Sequence, residues 1–196
     1  MIDRREMIQR AVALLGGAVS SSAMAGVLAG CVSAPPAAGD KQTFFTADEM
    51  KAATAVADQI LPRTDTPGAI DVGVPGFMDR MMAGYYKDRQ RRILRAGLVR
   101  MDKDAMAAHS LAFAALSAEQ QVALMKVYDR EAYEQSRRNI SNPNADPHFF
   151  RILKELTIVG FCTSETGATK FLKYAATPGP YRGDIPYSEI GKAWAS

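Results

Sequence analysis

The 196-residue chain has few of the residues that bind metals or redox cofactors: two cysteines, two histidines and one tryptophan. It lacks a CxxCH sequence for covalent haem and a cysteine cluster for zinc or iron–sulfur centres. It also lacks the GxGxxG sequence that cradles a dinucleotide. His109 and His148 lie in separate segments without a paired metal-binding motif. From the residues alone we expect no catalytic residue, no cofactor and no metal ion in this chain.

The chain also has little net charge, with 24 basic and 21 acidic residues and a formal charge of +3. Three of the basic residues, Arg4, Arg5 and Arg10, stand ahead of the first apolar stretch. The rest of the chain is therefore close to neutral, and it lacks the basic footprint of a nucleic-acid-binding protein. We expect no nucleic acid among the partners.

A long, strongly apolar run is absent as well. Residues 11–30 are apolar but contain three serines and four glycines, which suits a permanent membrane helix poorly. Arg4 and Arg5 precede this weakly apolar stretch, and that combination is typical of a twin-arginine signal. We predict a signal peptide over residues 1–30, with the twin-arginine translocase as a partner during export. The alternative is an ordinary secretory signal that contains an arginine pair.

The signal ends at residues 28–31, LAGC, a small-residue run before a cysteine that resembles the lipobox of bacterial lipoproteins. Acyl chains on Cys31 would hold the protein at a membrane by burying their methylene groups. Residues 31–41 are rich in proline and alanine and are predicted to form a tether. We therefore expect a periplasmic, lipid-anchored protein. Cleavage after residues 23–25 is the alternative, and it would leave Cys31 as an ordinary residue of a soluble protein.

Residues 42–196 have the length of one domain and read as mainly helical. Thr46 and Glu49 form a capping-box pattern that starts the first helix, and Pro62 ends it. We predict five or six helices in a single helical domain. Their expected starts are near Thr46, Val74-Pro75, Asp88 and Ser117, with a further start at Asp146-Pro147.

Two segments do not fit a helix pattern. Residues 63–74, RTDTPGAIDVGV, are dense in glycine, proline and aspartate and predict a long ordered loop. The end of the chain, TPGPYRGDIPYSEIGKAWAS, predicts an extended arm, since its composition suits neither a helix nor a paired strand. Trp194 in this arm needs a cover, either its own core or a partner.

Cys162 stands alone if Cys31 is acylated, so the chain can form no internal disulfide. Two interpretations remain open for its thiol. Free cysteine is often a small buried apolar residue. In an oxidising compartment it can also form a disulfide with another chain.

Several long stretches resemble one known family. They are ILPRTDTPGAIDVGVPGFMD, FFRILKELTIVGFCTSETGATKFLKY, PGPYRGDIP and KAWA. Together they resemble the gluconate 2-dehydrogenase subunit 3 family, the small subunit of membrane-bound sugar and polyol dehydrogenases, over essentially all of residues 42–196. A cysteine that often stands in the family near the position of Asp184 is missing here.

The resemblance implies a non-catalytic accessory subunit. Such a subunit accompanies a large flavin-dependent dehydrogenase of sugars, polyols or sugar acids, and often a multi-haem cytochrome c subunit. FAD and haem c would then belong to partner chains. A flavoprotein folds around its cofactor before export, so a small subunit with a twin-arginine signal can mature it and escort it across the membrane. The alternative is a free-standing, membrane-tethered binding lipoprotein without an enzyme partner.

Partner docking is expected on rigid loops and aromatic anchors. We place it on the ordered loop, on the TSETGA segment and on the C-terminal arm, although each of these can also serve only the packing of the domain itself. The candidate residues are Thr64, Asp65, Pro67, Gly68, Cys162, Thr163, Ser164, Glu165, Gly167, Tyr181 and Trp194, with Cys162 also a candidate for an intersubunit disulfide.

The signal prediction can be tested with the double substitution Arg4→Lys and Arg5→Lys. Because the twin-arginine route requires the arginine pair, we expect the chain and its partner's dehydrogenase activity to stay in the cytoplasmic fraction. Normal activity in the periplasmic fraction of the double variant would sink the escort role.

Overall fold

The computed structural model describes residues 43–142, 144–177, 179–180 and 183–195. The predicted signal peptide and tether, with Arg4, Arg5 and Cys31, lie outside the described residues, as does Tyr181. In the described part six α-helices occur. They are α1 (Ala47–Ile60), α2 (Val74–Gly84), α3 (Asp88–His109), α4 (Ala118–Arg138), α5 (Phe149–Cys162) and α6 (Tyr187–Ile190).

Three shorter elements complete the described chain. A 3₁₀ turn spans Phe113–Ala115, and a π-helical turn spans Gly167–Phe171. Strands β1 (Lys173–Tyr174) and β2 (Trp194–Ala195) form a two-stranded parallel sheet, in which Lys173 pairs with Trp194. No helix among these residues is both long and apolar enough to cross a membrane. The prediction of a mainly helical single domain is confirmed.

The helix starts follow from local side-chain chemistry. Thr46 and Glu49 form a complete capping box at α1, and Ser117 with Gln120 forms another at α4. These side chains satisfy backbone N–H groups that have no partner inside the helix. At α2 the early proline takes a position where its missing N–H costs nothing. All three predicted starts are confirmed.

Helix α5 lies at the centre of the domain and packs against α1, α2, α3 and α4. Burial of each large apolar side chain contributes about 1.5–3 kcal/mol, so this helix supplies much of the stability of the core. The hydroxyl of Thr157, which is also buried, donates to the carbonyl of Leu153 at 2.7 Å. The buried apolar side chains of α5 are Phe149, Phe150, Ile152, Leu153, Leu156 and Phe161.

Two glycines let neighbouring elements approach α5 closely. A Cβ atom on Gly97 of α3 would lie 2.0 Å from Cγ of Phe149. A Cβ atom on Gly160 of α5 would lie 2.7 Å from Cδ1 of Phe77 in α2. Real Cβ atoms do not come so close to other atoms, so the ring positions of Phe149 and Phe77 depend on the glycines.

A buried carboxylate holds the residues just before α1 in place. Oδ1 of Asp79 in α2 accepts the backbone N–H groups of Phe44 and Phe45, both at 2.8 Å. The guanidinium of Arg95 donates to the carbonyl of Phe44 at 2.6 Å and lies over its ring. These contacts hold the first described residues against α2 and α3. The core lies entirely between Phe44 and Phe161, within the compact unit Gln42–Ser196.

The start of α5 differs from the prediction. Asp146 and Pro147 do not cap it, because the carboxylate of Asp146 pairs with Arg89 at 2.5 Å. His148 is the N-cap residue, and its Nδ1 accepts the backbone N–H of Phe150 at 3.3 Å. The other ring nitrogen, Nε2, lies 3.4 Å from Glu131, whose carboxylate binds Arg100 through two hydrogen bonds.

The C-terminal arm also differs in part. It contains the four-residue helix α6 and the short strand β2, although its composition was expected to allow neither. Strand β2 is stabilised by pairing with β1, which lies about twenty residues earlier in the chain. A pairing over this distance leaves no local pattern in the sequence.

The close approach at Gly97 can be tested with Gly97→Ala. The new methyl group must displace the buried ring of Phe149, so we expect a loss of about 1–3 kcal/mol in the free energy of unfolding, measured with urea. Gly84→Ala in α2 is the matched control. Nothing lies within 4 Å of its Cβ position, and helix propensity favours alanine by up to about 1 kcal/mol. Equal stability of the Gly97→Ala and wild-type proteins would contradict the packing.

His148 predicts a pH dependence of stability. Burial lowers the pKa of His148, and this effect exceeds the opposing effect of Glu131. In the unfolded chain this histidine takes up a proton near pH 6.5, whereas in the folded chain it does so only at lower pH. The free energy of unfolding therefore falls as the pH drops from about 6.5 towards the lower pKa of the folded state. Protonation also removes the Nδ1 acceptor and with it the cap, which is worth about 1 kcal/mol.

We expect His148→Asn, which keeps a capping side chain but does not titrate, to lose less stability than wild type between pH 7.5 and pH 5.5. Urea unfolding at the two pH values measures this, with His109→Asn as the matched histidine control. The same pH dependence in wild type and His148→Asn would refute the role of the cap.

Candidate functional site: a partner-docking surface

The ordered loop between α1 and α2 is held by one carboxylate. Oδ2 of Asp71 accepts Nε of Arg63 at 2.9 Å and the backbone N–H of Gly68 at 2.8 Å. The guanidinium of Arg63, with a further contribution from the N–H of Gly68, lowers the pKa of Asp71. The loop is therefore closed on itself by an exposed ion pair and one backbone hydrogen bond.

The candidate docking residues of this loop have two kinds of role. Gly68 is buried, and a Cβ atom there would lie 2.6 Å from the backbone N of Arg63, so only glycine fits. Thr64 and Asp65 are exposed and joined by a hydrogen bond of 3.0 Å. Pro67 is half-buried between them and Gly68. Gly68 shapes the loop, whereas Thr64 and Asp65 present polar groups to the outside.

The TSETGA segment forms a tight turn after α5. The hydroxyl of Ser164 donates to the carbonyl of Phe161 at 2.7 Å and accepts the N–H of Gly167 at 3.0 Å. A Cβ atom on Gly167 would lie 1.9 Å from that carbonyl oxygen, so the turn requires glycine. Thr163 and Glu165 are exposed on its outer side.

Cys162 is the last residue of α5 and is half-buried, and it packs against the hydrophobic core. Its position joins the core helix to the TSETGA turn. The thiol is therefore close to the surface segment that follows but not part of its exposed face.

The C-terminal strand returns to the segment after this turn. The backbone N–H of Lys173 donates to the carbonyl of Ala193 at 2.8 Å, and the N–H of Ala175 donates to Ala195 at 3.0 Å. The ammonium group of Lys173 lies 4.6 Å from the centre of the Trp194 ring. Trp194 is still 46% exposed, so its own domain covers only about half of it.

Large apolar side chains are exposed along this part of the chain. We call the set of six the C-terminal apolar surface. Of the fourteen exposed large hydrophobic residues in the described chain, six belong to it: Ile158, Val159, Phe171, Tyr174, Tyr187 and Trp194. Residues 99–140 expose as many large apolar side chains, so the number alone does not distinguish this set. What distinguishes it is that the pairing of β1 with β2 brings Trp194 beside the segment that carries Phe171 and Tyr174, and neighbouring exposed apolar side chains are a candidate interaction site.

Two of the three segments that the sequence indicated are joined in this surface. The TSETGA turn leads directly into Phe171 and β1, and Trp194 lies beside β1. The ordered loop enters α2 one turn before Phe77, whose ring packs over Gly160 near the end of α5. The loop and the turn therefore lie at the same end of the helical domain.

Phe171, Tyr174 and Tyr187 were not among the residues predicted from the sequence. Their residue types were visible, but phenylalanine is most often buried and tyrosine is intermediate, so the sequence alone does not reveal their exposure. Phe171 keeps one edge on the ring of Phe161, at 5.4 Å between ring centres, and leaves the rest open. Within the described ranges no group of three or more histidine, cysteine, aspartate or glutamate residues is arranged to hold a metal ion.

Comparison with known proteins gives one match. The family model described as gluconate 2-dehydrogenase subunit 3 matches residues 47–179, which is more than half of the chain. No curated protein and no solved structure matches. The matched range includes the ordered loop, all of α5 and the TSETGA turn. The chain belongs to the gluconate 2-dehydrogenase subunit 3 family.

Proposed function

We propose that this chain is a non-catalytic accessory subunit that binds a flavin-dependent dehydrogenase of sugars, polyols or sugar acids through its C-terminal apolar surface. It matures this partner and escorts it through the twin-arginine route. In the periplasm Cys31 anchors the complex to the membrane. FAD belongs to the catalytic partner, and haem c to a cytochrome subunit where the complex has one.

The observation that carries the proposal is the C-terminal apolar surface in a chain whose family is a subunit of a dehydrogenase. Tyr174, Tyr187 and Trp194 are between about half and three-quarters exposed. Aromatic residues of this kind are the usual energetic centres of protein–protein interfaces, because they bury a large area with few rotatable bonds.

The turn beneath this surface makes it suitable for docking. Ser164 bridges Phe161 and Gly167 by two hydrogen bonds, and β1 is paired with β2. Segments that are already ordered lose little conformational entropy on binding, so more of the contact energy appears as affinity. The polar tips of Thr64 and Asp65, at the same end of the domain, supply the rim that such an interface needs.

Cys162 extends the proposal. It lies between the core helix and the docking turn, and in an oxidising compartment a partner cysteine at this edge of the interface can form a disulfide with it. The residue is half-buried and not sealed in the core.

The proposal predicts that Trp194→Ala and Tyr174→Ala weaken binding to the dehydrogenase subunit by tenfold or more each, as interface anchors do. The control is Tyr85→Ala, an aromatic at the C-cap of α2 that is 79% exposed, more than Tyr174 or Trp194, and it should bind like wild type. Affinity purification of each tagged variant from its native envelope, with a flavin spectrum of the co-purified chain, measures the effect.

A colourless wild-type protein that purifies alone would contradict the accessory role and favour a free-standing tethered lipoprotein. The same preparations, run on a gel without reductant, test Cys162. A heavier band that disappears in Cys162→Ser supports the intersubunit disulfide, and an identical band pattern in both proteins removes it.

A further inference from the structure

A basic stripe runs along the exposed side of α4, well separated in sequence from the C-terminal apolar surface. Lys126, Arg130, Tyr133 and Arg137 follow one another at spacings of four, three and four residues, which places them on one helix face. Helix α5 supplies Arg151 and Lys154 to the other wall of a cleft of about 550 Å³. We call this cleft the basic groove.

The cations from α5 are already neutralised. Nζ of Lys154 lies 2.7 Å from Asp129, which pairs the two helices across the groove. Nε of Arg151 lies 2.7 Å from Glu155 one turn further on. The first pair engages Asp129 and joins the two walls, and the second occupies Arg151 within α5.

The cations from α4 are different. Among the described residues, no carboxylate lies within 4 Å of Lys126 or Arg130, and both side chains are exposed. Tyr133 beside them is 63% exposed, and the guanidinium of Arg137 lies 5.9 Å from its ring centre. The groove therefore presents two unpaired positive charges followed by an uncovered aromatic ring, a combination that the packing of the domain does not require.

We infer that the basic groove binds an extended acidic segment of another protein chain. Lys126 and Arg130 are one turn apart, a rise of about 6 Å along the helix axis. In an extended chain alternate side chains are spaced by about 6.6–6.8 Å and lie on one face. A segment with carboxylates at its first and third positions matches the two cations, and an apolar side chain at its fifth position meets Tyr133.

The shape of the groove favours a chain segment over a membrane surface. A flat bilayer surface cannot enter a cleft between two helices, whereas an extended segment can lie along it. Asp129, which lines the cleft, is already engaged by Lys154 at 2.7 Å, so the charges left for the segment are those of Lys126 and Arg130. The groove shares no residue with the C-terminal apolar surface, although Lys154 lies one turn from Ile158 on α5. The inference therefore goes beyond the proposed function and does not depend on it.

The test is a titration of the ¹⁵N-labelled unit Gln42–Ser196, which contains its whole core, with a synthetic peptide followed by NMR. The seven-residue peptide has glutamate at positions 1 and 3, leucine at position 5 and serine elsewhere, with both ends blocked. We expect saturable shifts of backbone amides in the second half of α4 and the first turns of α5, and weaker binding as salt is raised. A peptide with lysine in place of glutamate should cause no shifts.

Lys126→Gln with Arg130→Gln should weaken binding about fivefold, since exposed ion pairs are individually small. The matched control, Arg92→Gln with Lys103→Gln, removes two exposed charges from α3 and should bind like wild type, while the spectra themselves report that each variant is folded. Equal weakening by both pairs, or no saturable shifts, would overturn the inference. So would shifts in the groove with vesicles of anionic phospholipid and none with the peptide.

Discussion

The structure depends on the burial of α5 among α1, α2, α3 and α4. Phe149 at its start packs over Gly97, and Gly160 near its end accepts the ring of Phe77. These contacts fix both ends of the helix relative to α2 and α3, because a packed core does not deform continuously. At the C-terminal end the helix continues directly into the Ser164–Gly167 turn, so the position of that turn is set by the core and not by the turn alone.

Under the proposed function, this arrangement gives a small domain a surface with which to bind a larger enzyme. The core holds the turn, the turn leads into β1, and β1 pairs with the returning strand that carries Trp194. A two-stranded sheet with two residues in each strand is only marginally stable by itself, and it becomes more stable when another chain covers it. A partner that buries Tyr174 and Trp194 would therefore stabilise the strand pair as well as the complex. In this account the subunit acts by presenting an ordered apolar surface.

Local chemistry explains what the sequence could predict. The capping residues Thr46 and Ser117 act within three residues of themselves, so their helices were found correctly. Asp146 looked like another cap, but Arg89, more than fifty residues away, binds its carboxylate and leaves the cap to His148. The strand pair and the exposure of Phe171 and Tyr174 likewise arise from long-range contacts, which leave no local pattern. Gly68 and Gly167 were predicted as docking residues, which stays a prediction, and the structure shows that they shape their loops.

The most direct test of the central claim is hydrogen–deuterium exchange of this chain alone and in its complex with the dehydrogenase subunit. The account predicts slower exchange on complex formation in residues 158–175 and 187–195, and little change in α3, which bears none of the six apolar residues. Unchanged exchange in both segments, with protection confined to other helices, would contradict the C-terminal apolar surface as the docking site.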